Sequence, residues 1–195
     1  VEEICLVVHP GDEKTYADVV GDMARHLHFV VQTEPLGYGH AIYSAREFTG
    51  EDPFLHLVGD HMYVNRSENS CAHHLIQVAE QHNCAVSAVQ AVREYVIPHY
   101  GIIGGQRIHG SHDTYKIECV VEKPTPTQAE QYLLVPGLRS GHYLAFFGMH
   151  VLTPAVLDIL EEQLASATRE KALTLSAALN ELPRREQYLA LEKTD

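Results

Sequence analysis

Two stretches decide the reading of this chain: Gln32-Thr33-Glu34-Pro35-Leu36-Gly37-Tyr38-Gly39-His40-Ala41, and, further on, Phe54-Leu55-His56-Leu57-Val58-Gly59-Asp60. The first leaves an apolar run, Phe29-Val30-Val31-Gln32, is halted by Pro35 and Gly37, and resumes as a helix over 40–48 with Ala41, Ile42, Ala45 and Phe48 on one face. The second is an apolar strand that stops on Gly-Asp. In open parallel sheets ligands bind beyond the carboxyl ends of the strands. A glutamine, two glycines and an aspartate delivered at such ends are therefore expected to line one crevice for a mononucleotide. The helix start above Gly37 and Gly39 would aim N–H groups at an anion or a polar base edge.

Upstream, residues 1–8 predict a buried strand and 15–27 an amphipathic helix, with Ala17, Val20, Met23, Ala24 and Leu27 at helical spacing. Downstream, a helix is expected over 67–82, with Cys71, Leu75, Val78 and Ala79 inward, and a central strand over 85–92. Strand and helix alternate to this point, the mark of an α/β sheet. The pattern then changes to two strands, 100–105 and 115–122, joined by a polar loop and closed by Pro124 and Pro126. A helix over 127–134 capped by Thr127, a long apolar strand over 143–152, a helix from Thr153-Pro154 to Leu164, a helix over 172–182 and a short strand over 187–191 complete the reading.

A length of 195 residues with 45% apolar and 21% charged residues fits one ordinary globular domain. No apolar run reaches the roughly 18 residues needed to cross a bilayer, and the start is acidic rather than signal-like, so neither a membrane nor an export signal is expected and the cytoplasm is the default. A formal net charge of -12 without a basic cluster argues against nucleic acid. A phosphate ligand would need a metal ion or a few local cations to mask the repulsion. The four cysteines lack CxxC spacing and are read as reduced structural thiols. His109 and His112 have no third ligand nearby in sequence, so the fourteen histidines are not read as a zinc site.

In order, these motifs resemble those of the sugar-nucleotide pyrophosphorylases, nucleotidyltransferases that join a sugar 1-phosphate to a nucleoside triphosphate. The likeness is greatest to the bacterial UTP-glucose-1-phosphate uridylyltransferase and glucose-1-phosphate thymidylyltransferase types. Gln32 through Ala41 matches a Gln-x-x-x-x-Gly-x-x-x-Ala segment, and Leu57-Val58-Gly59-Asp60 a strand with a final aspartate. Tyr100-Gly101 and Val121-Glu122-Lys123-Pro124 match a Tyr-Gly strand and a Glu-Lys-Pro signature, and Phe147-Gly148 a sugar-pocket strand. The resemblance implies nucleotide binding by Gln32, Gly37 and Gly39, and sugar binding by Gly101, Glu122, Phe147 and Gly148. It also implies catalytic roles for Asp60 and Lys123, with Asp60 holding Mg²⁺. The implied fold is a three-layer α/β/α Rossmann-like arrangement on a mostly parallel mixed sheet. The implied substrates are UTP or dTTP with glucose 1-phosphate, in a protein that could form homo-oligomers.

Departures are equally specific. The family's Gly-x-Gly-(Thr/Ser)-Arg loop is absent, and its second metal aspartate would lie just past Asp195. Ala172-Leu173-Thr174-Leu175-Ser176-Ala177 replaces Glu-Ile-x-Leu-Thr-Asp, and His150 replaces a usual tyrosine. Residues 1–195 are therefore expected to form one nucleotidyltransferase domain short of its first strand-loop-helix and its C-terminal end. Two further readings stay open: a non-catalytic sugar-nucleotide-binding homologue, and a nucleotide-sugar-dependent glycosyltransferase. The second would normally present Asp-x-Asp, where this chain has Asp60-His61-Met62. Taken singly, Asp60 could be a turn aspartate, Gln32 a solvated amide, and Glu122 with Lys123 a surface charge pair.

Overall fold

A computed structural model describes residues 3–61, 63–64, 70–166 and 172–193. The chain divides into two compact units, Val1–Glu51 with Leu157–Leu175, and Asp52–Val156 with Ser176–Asp195.

The first unit is built on two parallel strands, β1 (Ile4–Val8) and β2 (Leu27–Val31), in register from Ile4 opposite Leu27 to Val8 opposite Val31. The helix expected over 15–27 is shorter. Here α1 (Glu13–Val20) stops at Gly21, whose φ of 56° ends the helix, and Met23 and Ala24 fall in a 3-10 segment while Leu27 belongs to β2. The helix expected over 40–48 starts two residues earlier and breaks in the middle. It becomes α2 (Tyr38–Ser44) and α3 (Arg46–Thr49), separated at Ala45.

The second unit holds β3 (Phe54–Leu57), α4 (Cys71–His82), β4 (Ala85–Arg93), β5 (Gly101–Arg107), β6 (Thr114–Glu122), α5 (Pro126–Tyr132), β7 (His142–Leu152) and β8 (Tyr188–Glu192). Helices α6 (Pro154–Leu164) and α7 (Leu175–Glu181) each cross a unit boundary. Of the helix expected over 67–82, residues 67–69 lie outside the described residues. The observed helix starts after Ser70, whose side chain accepts from the His73 N–H at 3.1 Å. Helix α5 is capped by Thr125 rather than Thr127, with Gln128 closing a capping box. The helix expected from residue 172 begins only at Leu175, because the Leu173 backbone is engaged elsewhere: its N–H donates to the Leu36 carbonyl at 2.7 Å and its carbonyl accepts from the Gly39 N–H at 2.9 Å.

The sheet order is β3-β7-β4-β8-β6-β5, with β5 also pairing β7. The single parallel ladder in it is β4–β8, and every other described pairing is antiparallel. Tracing direction through those ladders, β3, β4, β5 and β8 run one way and β6 and β7 the other. The sheet is thus mixed, with most strands codirectional, and the antiparallel ladders arise because β6 and β7 are interleaved among them. Alternation sorts the core. Val86, Ala88, Met149, Val151, Leu189 and Leu191 pack under Cys71, Leu75 and Val78 of α4. Ser87, His150 and Tyr188, their immediate neighbours along the strands, form a buried polar group on the other side. Ile102, Tyr143 and Ala145 meet Ala129 and Leu133 beside α5 in a second apolar cluster.

Candidate active site

The strand order creates a gap at one place. Strand β4 occupies one edge of β7 from Val151 to His142. On the other edge β3 pairs only as far as Leu57 opposite Met149, and β5 takes over at Ile102 opposite Ala145. Between the end of β3 and the start of β5 lie Phe146, Phe147 and Gly148. Several sequence-predicted residues come together around this interruption.

Asp60 leaves β3 and enters an open cleft of about 340 Å³, which is also lined by His61, Tyr63, Gln90, Phe147 and Lys193. Four neighbouring strands each deliver one of these residues: Asp60 follows β3, Phe147 lies on β7, Gln90 on β4, and Lys193 follows β8. The Asp60 carboxylate is exposed and, among the described residues, makes no hydrogen bond or ion pair. The cleft wall is fixed from β7. His61 Nδ1 donates to the Phe147 carbonyl at 2.8 Å, and the Tyr63 hydroxyl donates to the Gly148 carbonyl at 2.7 Å. Burial raises the Tyr63 phenol above its usual value, and the nearby Asp60 charge adds to the effect. Gly148 has φ 80°, and a Cβ there would stand 2.4 Å from Val58 Cγ2.

Gly101 and Glu122 face each other in register at the ends of β5 and β6. A Cβ at Gly101 would lie 3.0 Å from the Phe146 ring and 3.1 Å from Glu122 Oε2. Ser176, the first residue of the second unit's returning segment, donates its hydroxyl to Glu122 Oε2 at 2.5 Å. Ser176, in the stretch that departs from the resembled family's Glu-Ile-x-Leu-Thr-Asp pattern, thus supports the glutamate. Lys123 has φ 48°, a left-handed conformation uncommon for a residue with a side chain, and its N–H donates to the Tyr100 carbonyl at 2.9 Å. The turn that lets Glu122 and Lys123 depart from strand geometry is therefore made at Lys123 itself, one residue before the proline.

Gln32, Gly37 and Gly39 belong to the first unit. The Gln32 amide donates to the Gly37 carbonyl at 3.2 Å and lies 2.9 Å from His40 Nδ1, so it braces the loop it precedes. Gly37 adopts φ 112°, and a Cβ there would be 2.5 Å from the Leu173 carbonyl oxygen. The requirement for glycine at 37 thus comes from close backbone packing within the protein. The Gly39 N–H, expected to point at a ligand, is taken by Leu173.

Sequence reasoning did not single out Gln90, Tyr63, Lys193 or Ser176. Gln90 and Lys193 reach the cleft through the order of strands in the sheet, for which the chain carries no local signal, while Tyr63 comes from the segment after β3 and Ser176 from the first turn of α7. His150, which replaces a tyrosine of the resembled family, is fully buried against Ser87 and belongs to the core. Among the described residues no group of three or more His, Cys, Asp or Glu side chains is placed to hold a metal ion, all four cysteines are free thiols, and no helix is long and apolar enough to cross a membrane.

A model of the nucleotidyl transferase family matches residues 1–195, the whole of the chain. The chain belongs to that family. Curated relatives of this nucleotidyl transferase include the UTP–glucose-1-phosphate uridylyltransferase YngB of Bacillus subtilis, 32% identical over 167 residues, covering 86% of this chain and 50% of that protein. A UTP–glucose-1-phosphate uridylyltransferase of Staphylococcus haemolyticus is 36% identical over 149 residues, covering 76% and 46%. The chain thus spans about half the length of the curated relatives it matches. Among solved structures, an apo UDP-glucose pyrophosphorylase superposes with a TM-score of 0.79 at 19% identity, covering 98% of this chain and 73% of that one. A UTP-bound enzyme of Acinetobacter baumannii gives 0.74 at 22% identity, covering 100% and 70%. These likenesses establish the α/β nucleotide-diphospho-sugar transferase fold.

Proposed function

We propose that the protein joins glucose 1-phosphate to UTP, or to dTTP in its place, giving the nucleoside diphosphate sugar and pyrophosphate. The observation that carries this reading is the exposed Asp60 carboxylate just past β3, which has no hydrogen bond or ion pair among the described residues and shares a cleft with Phe147 at the interruption of the β7 edge. The names of the relatives support the choice of UTP and glucose 1-phosphate.

In the reaction an oxygen of the sugar phosphate attacks the α-phosphorus of the triphosphate. A new P–O bond forms as the bond to the β-phosphate oxygen breaks, and pyrophosphate leaves with the electron pair. Both reactants are anions, so positioning and charge stabilisation carry the catalysis. Mg²⁺ favours one or two carboxylates together with phosphate oxygens, and an exposed Asp60 without a partner among the described residues fits that preference. When bound there, the ion would neutralise phosphate charge. Glu122, braced by Ser176, accepts hydrogen bonds from sugar hydroxyls, with Gly101, Phe147 and Gly148 shaping the sugar pocket. Lys123, placed beside Glu122 by its left-handed turn, meets the sugar phosphate. Gln32, on the loop that Gly37 and Gly39 fix by close packing, meets the nucleotide base. The substrates are small molecules of the cytoplasm.

A pyrophosphate-release screen of the full-length protein, over nucleoside triphosphates paired with sugar 1-phosphates, tests the proposal. UTP or dTTP with glucose 1-phosphate is expected to be fastest. The acidic residues missing from 172–177 favour one other reading, a non-catalytic homologue; UDP-glucose binding without pyrophosphate release from any pair would select it.

A further inference from the structure

The reaction proposed above brings two phosphate-bearing molecules to a chain of net charge -12, which requires a cation at the point of contact. The motifs found in this chain supply Lys123 beside the sugar-binding glutamate but no lysine or arginine beside Asp60. The structure places one there.

Lys193 follows the last residue of β8, and its N–H donates to the Val89 carbonyl at 2.8 Å, carrying the β4–β8 pairing one residue further. Its side chain is anchored independently: Nζ lies 2.5 Å from His74 Nδ1 on α4. An ammonium group has donors but no acceptor, so Nζ donates and the neutral imidazole accepts. That contact uses one of three N–H bonds. Lys193 and Asp60 line the same cleft, and no ion pair joins them among the described residues. Opposite charges on one cleft that do not close on each other leave each available to a ligand bearing phosphate oxygens and a counter-ion.

We propose that Lys193 is a phosphate-binding residue of the Asp60 cleft and that His74 is its positioning residue. This rests on the reading of that cleft as the seat of nucleotidyl transfer. The ligand class is a di- or triphosphate chain, and the partner atom is a non-bridging phosphate oxygen contacted by Nζ.

Inorganic pyrophosphate, titrated into the full-length protein in metal-free buffer, reads this contact apart from catalysis and apart from Asp60. Lys193→Gln is expected to weaken pyrophosphate binding by about tenfold or more, as loss of a charge-assisted contact implies. Lys193→Arg should restore most of the affinity. His74→Ala should weaken binding, whereas His74→Asn, which keeps an acceptor close to the Nδ1 position, should not. Melting temperatures of the same variants separate misfolding from lost binding. A wild type that does not bind pyrophosphate, or a folded Lys193→Gln that binds it as tightly as wild type, overturns the inference. Pyrophosphate release by the wild type with no effect of Lys193→Gln on affinity sinks the inference and leaves the enzymatic reading standing. Lys193-dependent pyrophosphate binding in a protein that turns over no substrate pair sinks the enzymatic reading and leaves the inference standing.

Discussion

Gly148 shows how one residue can tie the sheet to the site. Its φ of 80° is a conformation that side chains rarely adopt, and the Cβ of an alanine would fall 2.4 Å from Val58 Cγ2, at the end of β3 just before Asp60. Its carbonyl also accepts from the Val58 N–H at 3.0 Å and from the Tyr63 hydroxyl. Gly148→Ala is expected to destabilise the protein by about 1–3 kcal/mol, from backbone strain plus overpacking, measured by urea unfolding. An unchanged midpoint would mean the turn relaxes freely. Asp60 and Glu122 stand out in the sequence because each closes an apolar run, where the periodicity stops on a charge; the structure ends β6 on Glu122 and β3 three residues before Asp60. Lys123 was half legible: the Glu-Lys-Pro motif marked it, but no rule predicts a left-handed lysine one residue before proline. Lys193 was illegible, because its meaning comes from a strand and a helix brought beside it by folding.

Among the elements, the β3–β7–β4–β8 ladder carries a buried polar seam. His56 and His150 are directly opposed on β3 and β7, with ring centroids 5.5 Å apart; His150 lies 2.6 Å from the Ser87 hydroxyl, which is also bonded to Tyr188. Burial lowers the His56 pKa to about 4, and burial, then the neighbouring His56, holds His150 well below the usual histidine range. Both are neutral in the fold and titrate near 6.5 when unfolded, so the unfolded state takes up protons first as the pH falls. The stability these two histidines contribute is therefore full above about pH 6.5 and declines below it, for His56 down to about pH 4, where it protonates in the fold. For His56 alone the loss reaches up to about 3 kcal/mol. His56→Gln should flatten the pH dependence of the unfolding free energy in that window, and an equally steep curve in the variant would exonerate the pair. Strands of this seam were readable from their apolar runs, and so were α4 and α6. The 3-10 segments at Gly21–His26 and Glu94–His99 were not, since local propensity for them is weak and packing decides.

At the scale of the whole molecule, alternation of strand and helix correctly indicated an α/β fold, whereas strand order did not emerge from the sequence. The interruption on β7 depends on where β3 ends and β5 begins, a property of register that hydrophobic pattern leaves open. That register makes a cleft out of residues scattered from Asp60 to Lys193. The excess negative charge fits the proposed reaction only if anionic substrates are received by a few placed cations and a metal ion rather than by a basic surface. The most direct measurement is Mg²⁺-dependent pyrophosphate release from UTP and glucose 1-phosphate by full-length wild type and Asp60→Asn, with melting curves for both. The account predicts at least about a hundredfold loss of turnover in a variant that melts like the wild type. Equal turnover by the two proteins would contradict it.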